Sequence, residues 1–374
     1  MKFKIDRKEF LFGLQVVQHV LSKDFPNVKI DVTESDIKLT TNNGESMIVY
    51  NVPREVDEQQ TFIIESIGSM VLPCKKLIGL LKKIKDGIIV IEHFENKTTI
   101  SNGLRTSRVV FDNAETFLNE ELIEKAPSLH VDADEMEEAL SSIINCVSKK
   151  DIRPVLTTIN MKYDTNELKF IATDSYRLGQ FICDNYGKDF IRDCEPFDLG
   201  INLKPLYNIL KQLNLPISIT INNNTVLFVL GDEFDNVKYQ VKALNWTFPD
   251  TREFIPKTFG IEVYVNLQEF KESLKRLKNF VNENKVVKLK INSGVSLSVE
   301  TEEFKAEEFL IESKVHGGDL TIACNIDFLL DALKTLKTET ICIGFNGDLY
   351  PFVLTNMVKL DDRNTQLIVP IRVE

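Results

Sequence analysis

Few of these 374 residues could make or break bonds. The run Thr173-Asp174-Ser175 sets two hydroxyls beside a carboxylate, the beginnings of an activated nucleophile. No histidine stands near it to relay a proton, because His19, His93, His130 and His316 are dispersed along the chain. The phosphate-cradling Gly-x-x-x-x-Gly-Lys, the dinucleotide-binding Gly-x-Gly-x-x-Gly, the Gly-x-Ser-x-Gly elbow and His-x-x-x-His are absent. Cys74, Cys146, Cys183, Cys194, Cys324 and Cys342 form no Cys-x-x-Cys pair and have no histidine at ligand spacing, which fits reduced thiols and argues against a zinc or redox site. The expectation is therefore no enzyme, no metal and no cofactor. What remains is cationic chemistry. Lys75, Lys76, Lys82, Lys83 and Lys85 follow one another with no acid among them, a set able to hold phosphates by charge without reading bases. With a net charge of −11 the whole chain repels nucleic acid, so any such contact must be local, on a basic face.

The elements that must position these residues are repeated. A strand end followed by a helix start is written Ile5-Asp6-x-x-Glu9-Phe10-x-x-x-Leu14, then Val131-Asp132-x-x-Glu135-Met136-x-x-x-Leu140, then Val265-Asn266-x-x-Glu269-Phe270-x-x-x-Leu274. Each reads as a capping box: Asp6, Asp132 or Asn266 accepts from a free backbone N–H, and the glutamate three residues on reaches back. A second short amphipathic helix also recurs, as Leu77-x-x-Leu80-Leu81-Lys82-x-Ile84, Leu206-x-x-Ile209-Leu210-Lys211-x-Leu213 and Leu329-x-x-Ala332-Leu333-Lys334-x-Leu336. A hairpin follows each, with turns expected at Asn96-Lys97, 222–224 and Asn346-Gly347 between β-branched runs.

The chain is thus three copies of one α+β unit, each with two helices packed on antiparallel sheet, with boundaries in the acidic stretch 112–124 and the turn-rich stretch 249–257. We place the domains at 1–127, 128–255 and 256–374. Lysine recurs at one equivalent place in each copy, as Lys82, Lys211 and Lys334. Two readings of it stand: the ordinary solvated face of an amphipathic helix, or a basic surface shared by the copies. Lys149 and Lys150 close the otherwise acidic first helix of the second copy, which carries Asp134, Glu135, Glu137 and Glu138. No apolar run approaches the 18 residues of a membrane span, and the start Met-Lys-Phe-Lys-Ile-Asp lacks the apolar core of a signal peptide. A cytoplasmic location is the expectation.

Three strings go beyond the repeat: Asp151-Ile152-Arg153-Pro154-Val155-Leu156-Thr157 with Phe170-Ile171-Ala172-Thr173-Asp174-Ser175-Tyr176-Arg177-Leu178; Phe248-Pro249-Asp250-Thr251-Arg252-Glu253-Phe254-Ile255-Pro256; and the terminal Leu367-Ile368-Val369-Pro370-Ile371-Arg372. In this order and at these separations they closely resemble the bacterial sliding-clamp family, the β subunits of DNA polymerase III, and the resemblance spans the whole chain. It implies three DNA-clamp-type units per chain and a head-to-tail homodimer that closes six of them into a ring, helices lining the hole. It implies sequence-independent sliding on double-stranded DNA, without catalysis or membrane contact. DNA contact then falls to Lys23, Lys75, Lys82, Lys149, Lys150, Lys211 and Lys334.

Carried over by position, the resemblance also implies a hydrophobic cleft for short peptides of the DNA polymerase III alpha subunit, the clamp loader and other proteins with clamp-binding motifs. It would comprise Arg153, Leu156, Thr173, Ser175, Tyr176, Arg177, Leu178, Pro249, Phe254, Ile368, Val369, Pro370, Ile371 and Arg372. The chain departs from the family's usual residues at Glu253, where a base is common, and at Ser175-Tyr176, where Gly-His or Ser-His is common. A carboxylate and a larger phenol there alter which peptide flanks fit. The stretch 22–28 departs as well, which bears on Lys23. Glu253 and the acidic first helix of the second copy motivate a second reading, a clamp-like scaffold that binds partner peptides without encircling DNA.

Overall fold

The computed structural model describes all residues except 57, 103–107, 113, 115–116, 125–127, 150–152, 165–166, 184–194, 232–236, 358–362 and 373–374, with backbone alone at 108, 112 and 128. Six α-helices occur among the described residues: α1 (Arg7–Val17), α2 (Cys74–Leu81), α3 (Ala133–Ile143), α4 (Lys204–Leu210), α5 (Leu267–Leu277) and α6 (Ile326–Leu333). They begin where the repeat places them. The Asp6 carboxylate accepts from Lys8 N at 2.8 Å and Glu9 N at 3.2 Å, Asn266 Oδ1 from Gln268 N at 2.9 Å and Glu269 N at 3.0 Å, and Asp132 from Asp134 N at 2.9 Å. The returning half of the capping box is different from the expectation. Asn266 N donates to Glu312 O, and the Glu269 carboxylate instead accepts from Ile311 N and Glu312 N at 2.7 and 3.1 Å. Glu135 takes Arg363 at 2.8 Å. In the second and third copies the repeated glutamate fastens a segment distant in sequence.

The chain forms two compact units, each antiparallel throughout its sheets. The first contains Met1–Asp134 and Lys204–Ala243. Its eight-stranded sheet runs Ser128–Val131, Ile217–Asn222, Thr225–Leu230, Val237–Lys242, Ser46–Asn51, Ile37–Asn42, Asn27–Val32, Gly68–Pro73, so strands from the first two repeats share one hydrogen-bonded ladder. A five-stranded sheet runs Arg108–Asp112, Lys97–Asn102, Ile88–Phe94, Lys2–Asp6, Phe62–Ser66. Phe10, Leu14 and Val17 of α1 and Leu77 and Leu81 of α2 are fully buried, one apolar stripe per helix. Gly13 is required by the approach of α1 to the sheet: a Cβ there would lie 2.7 Å from the Tyr50 ring. The stretch between the first and second repeats is held as a strap. Asn42 Nδ2 donates to Leu118 O at 3.1 Å, Gln240 Oε1 accepts from Ile123 N at 2.7 Å, and Gln240 Nε2 donates to Glu121 O at 3.1 Å. Asn42 and Gln240 are themselves buried.

The second unit contains Glu135–Lys188, Glu195–Leu203 and Leu244–Glu374. Its nine-stranded sheet runs Phe197–Ile201, Ile159–Tyr163, Leu168–Thr173, Arg177–Cys183, Asn364–Ile368, Phe352–Asn356, Thr340–Phe345, Ile261–Asn266, Ser313–His316, and a four-stranded sheet runs Lys305–Leu310, Val295–Glu300, Val286–Ile291, Leu320–Asn325. One face of the larger sheet packs α5 and α6 through Phe270, Leu274, Leu329 and Leu333 against Ile341, Leu354 and Ile368. The other face carries a small apolar cluster, Ile171, Leu178, Val353 and Leu367, over which Phe248, Ile255 and Phe259 of a second strap pack. Phe259 lies on Gly344, where a Cβ would come within 2.4 Å of its ring.

Two hairpins turn at Glu95-Asn96 and Asn223-Asn224, where Glu95 and Asn223 take positive φ. The first is one residue earlier than the expected Asn96-Lys97, since Lys97 pairs with Phe94. The third is no tight turn: residues 346–351 form a loop between Thr340–Phe345 and Phe352–Asn356.

Candidate functional site

The floor of the site is one cross-strand row. Thr173 pairs with Leu178, Leu178 with Leu367, and Leu367 with Val353, so their side chains share a face of the nine-stranded sheet. The Pro154–Thr157 3₁₀ turn brings Leu156 to one side, and the strap brings Pro249, Thr251 and Phe254 to another. Together with Arg153, Ser175, Arg177, Pro351 and Val369 they enclose a cleft of about 240 Å³. Apolar walls with a few fixed polar groups suit an anchor side chain of a peptide.

The hairpin 173–177 is held internally. Ser175 takes φ 76°, a strained conformation for a residue with a Cβ, stabilised by its neighbours. Thr173 Oγ1 donates to Arg177 O at 2.7 Å and accepts from Ser175 N at 3.1 Å, while Asp174 Oδ1 accepts from Tyr176 N and Arg177 N, both at 3.0 Å. Arg153 Nη2 donates to Ser175 Oγ at 2.6 Å. The Thr173, Asp174 and Ser175 side chains are all engaged here: the Thr173 hydroxyl proton points to a carbonyl, Asp174 faces N–H donors, and Ser175 Oγ accepts from Arg153. The arrangement builds a wall and activates no nucleophile.

Arg177 emerges on the opposite side of the strand from Leu178. Its Nε lies 3.0 Å from Asp174 Oδ2, its Nη1 2.9 Å from Asp331 Oδ2 on α6, and its guanidinium 4.4 Å from the Phe328 ring centroid. Burial acts against its charge, but these partners hold its pKa raised. Asp331 Oδ1 also accepts from Lys334 Nζ at 2.8 Å. Burial alone would push the Asp331 carboxyl up; the hydrogen bonds from Lys334 and Arg177 outweigh that and hold it below the ordinary carboxylate range.

Several residues expected in the cleft lie elsewhere. Ile368 is 1% exposed and sits in the core under α5 and α6, because strand alternation turns it away from Leu367 and Val369. Tyr176 is 63% exposed and outside the cleft lining, although Val369 N donates to its carbonyl at 2.9 Å. Ile371 and Arg372 line a neighbouring hollow of about 520 Å³ with Lys288, Thr321 and Leu349, drawn there by the bond from Ile371 N to Ala323 O at 2.7 Å. Pro370 is half-buried between the two hollows. Leu367, Thr251 and Pro351 line the cleft without having been singled out as cleft residues. For Leu367 the parity of the strand was a usable signal. Pro351 arrives through tertiary folding, with no local signal.

Of the cations, Lys23, Lys75, Lys82 and Lys211 belong to the first unit and Lys149 and Lys334 to the second; all are exposed. Lys150, like Asp151 and Ile152, lies outside the described residues. Lys82 and Lys334 are the C-cap residues of α2 and α6, and Lys211 follows the last residue of α4. A cation there is favoured by the helix dipole, so this recurrence has a local reason. Lys211 lies 5.2 Å from the Tyr207 ring centroid. Lys75 and Lys76 stand in the first turn of α2, where the dipole disfavours cations; helix stability does not account for them. Among the described residues no group of three His, Cys, Asp or Glu gathers that could hold a metal, and no helix is long and apolar enough to cross a membrane.

The description "DNA polymerase III beta subunit, central domain" matches residues 130–250, and "DNA polymerase III beta subunit, C-terminal domain" matches 252–372. The chain belongs to the DNA polymerase III beta subunit family. Similar family members include the beta sliding clamp of Staphylococcus epidermidis, 28% identical over 100% of this chain and 99% of that one, and that of Bacillus subtilis, 26% identical over 100% of both. In three dimensions the chain resembles the DNA polymerase sliding clamp of Bacillus subtilis, with a TM-score of 0.89 at 25% identity, and the DNA polymerase III beta chain of Streptococcus pneumoniae, with 0.87 at 26%; each covers 100% of both chains.

Proposed function

We propose that this chain acts as a DNA sliding clamp: two copies close head to tail into a ring of six repeats, 1–127, 128–255 and 256–374 in each, around duplex DNA, and the cleft holds a short peptide of the replicative polymerase. The observation that carries the reading is the end-to-end match with beta sliding clamps at 100% coverage of both chains. Two open sheet edges support the closure. Arg108–Asp112 ends the five-stranded sheet and Lys305–Leu310 the four-stranded one, and near them Val110, Phe309 and Ile311 are 51%, 68% and 89% exposed. An unpaired apolar edge invites a partner strand, and a head-to-tail contact that closes makes a ring.

No bond chemistry is asked of such a protein. Encirclement turns each re-binding of the polymerase into an intramolecular event, so DNA contact can stay weak and blind to sequence. The alpha subunit of DNA polymerase III, the clamp loader and other proteins with similar motifs would share the cleft, in the cytoplasm. Two apolar anchors contribute about 3–6 kcal/mol gross, and ordering the peptide takes back part of it. That suits partners that exchange.

The test is retention on nicked circular duplex DNA after loading, compared with the same DNA linearised. A clamp stays on the circle and is lost from the linear form, and its solution mass is twice 42.8 kDa; equal retention on both sinks encirclement and leaves the peptide-only scaffold. Replacing Lys75 and Lys76 by glutamate should shorten retention on the circle severalfold with the dimer intact.

A further inference from the structure

We infer that Asp331 is a positioning residue of the peptide cleft: it holds the Arg177 guanidinium against α6, and it does so in competition with Lys334. The inference rests on the cleft being the peptide site. Arg177 lines the cleft, yet its charge is taken up on the far side of the sheet. Leu178 and Leu367 face the cleft, while the Arg177 side chain, alternating with Leu178 along the strand, enters the helical layer. There α6 presents Phe328 and Asp331, three residues apart and so on one helix face, as a ring and a carboxylate that grip a single guanidinium, 4.4 Å from the ring centroid and 2.9 Å from Oδ2. Asp174 supplies the remaining contact at 3.0 Å, but it belongs to the same hairpin as Arg177. Asp331 ties that hairpin to α6 by an ion pair.

The Arg177 and Asp331 side chains are 14% and 25% exposed, whereas that of Lys334 is 61% exposed. The carboxylate is thus shared between a shielded partner, where charge pairing is strong, and a solvated one, where it is weak. Without Asp331 the hairpin 173–177, which carries Thr173 and Ser175 to the cleft and leads into Leu178, loses its ion pair to α6, so the wall where an apolar anchor must sit is held less firmly and more ordering is left for the peptide to impose, which costs affinity. Removing Lys334 leaves Asp331 wholly to Arg177.

The experiment uses the full-length protein and a fluorescein-labelled decapeptide carrying a Leu-Phe pair between polar residues, read by anisotropy alongside thermal melting. D331N should weaken binding about fivefold with a melting midpoint lowered by no more than about 4 °C, D331E should recover part of the loss, and K334M should leave affinity unchanged or raise it up to about twofold. In an R177M background D331N should have no further effect. A general structural role for Asp331 predicts the opposite there, a loss that persists without Arg177. Binding by the unaltered protein with D331N equal to it overturns the positioning role alone. A K334M loss as large as that of D331N also overturns it. No binding by the unaltered protein overturns the cleft reading and this inference together.

Discussion

Each of the two compact units has a strap crossing a sheet face, and the two straps are fastened by different forces. In the first unit the fastening is polar: buried Asn42 and Gln240 reach out of the sheet and take Leu118 O, Glu121 O and Ile123 N, with Lys242 pairing Glu120 at 2.6 Å. Such bonds fix backbone against side chain at hydrogen-bonding distance and draw the strap onto the sheet. In the second unit the fastening is apolar: Phe248, Ile255 and Phe259 rest on Ile171, Leu178, Val353 and Leu367. Contacts of that kind carry no directional demand, and beside them Pro249, Thr251 and Phe254 stand over a hollow. The same topological device thus seals one sheet and leaves an open cleft on the other.

The comparison can be broken most easily from the cleft. V369E places a carboxylate among apolar walls and should lower affinity for an apolar-anchored peptide about 100-fold, seen by fluorescence anisotropy; unchanged affinity would remove the cleft from the comparison. Next in size, Q240L strips Ile123 N and Glu121 O of their partner and should cost the first unit about 2 kcal/mol, read from its urea midpoint, with peptide affinity untouched. F248A should show the reverse pattern, about 1 kcal/mol of stability but a roughly fivefold loss of affinity, because it loosens a wall; equal behaviour of Q240L and F248A in both assays would make the two fastenings equivalent.

The smallest effect is acid sensitivity. Asp331 is faced by Arg177 and Lys334, with Asp174 and Cys146 behind Arg177, and burial pushes the Cys146 thiol up to about 12, so that it stays neutral. Because the folded carboxyl is held below its ordinary 3.8, its contribution is complete above that pH and is lost as pH falls through the lower folded value. Screened by solvent, it should amount to less than about 1 kcal/mol. Stability should therefore be flat in this respect from pH 7 to 5, and D331N should remove a shallow decline below about pH 4 in urea titrations.

How much of this was legible beforehand follows the range of each interaction. Helix starts at Asp6, Asp132 and Asn266 were readable because a cap involves residues two and three positions on. The reciprocal glutamate was not, since Glu269 answers to Ile311 and Glu312, which tertiary folding brings to it. Three strings, one of them at the C-terminus, named the region of the cleft, while alternation along Asn364–Ile368 decides which side chains reach it: Leu367 does, and Ile368 does not. The repeat marks three copies, whereas the ladders join strands across copies, as Val237–Lys242 pairs with Ser46–Asn51; edge-to-edge pairing of distant strands leaves no local mark.

That pairing has a consequence for synthesis of the chain. Arg177–Cys183 is completed only by Asn364–Ile368, made about 180 residues later. At roughly 5–20 residues per second, the edge of Arg177–Cys183 waits on the order of 10–40 s without its partner, bearing Leu178 and Phe181. The residues that later form the floor of the cleft are therefore, on the ribosome, a sticky open edge, and the arrival of Asn364–Ile368 both finishes the cleft and removes the hazard.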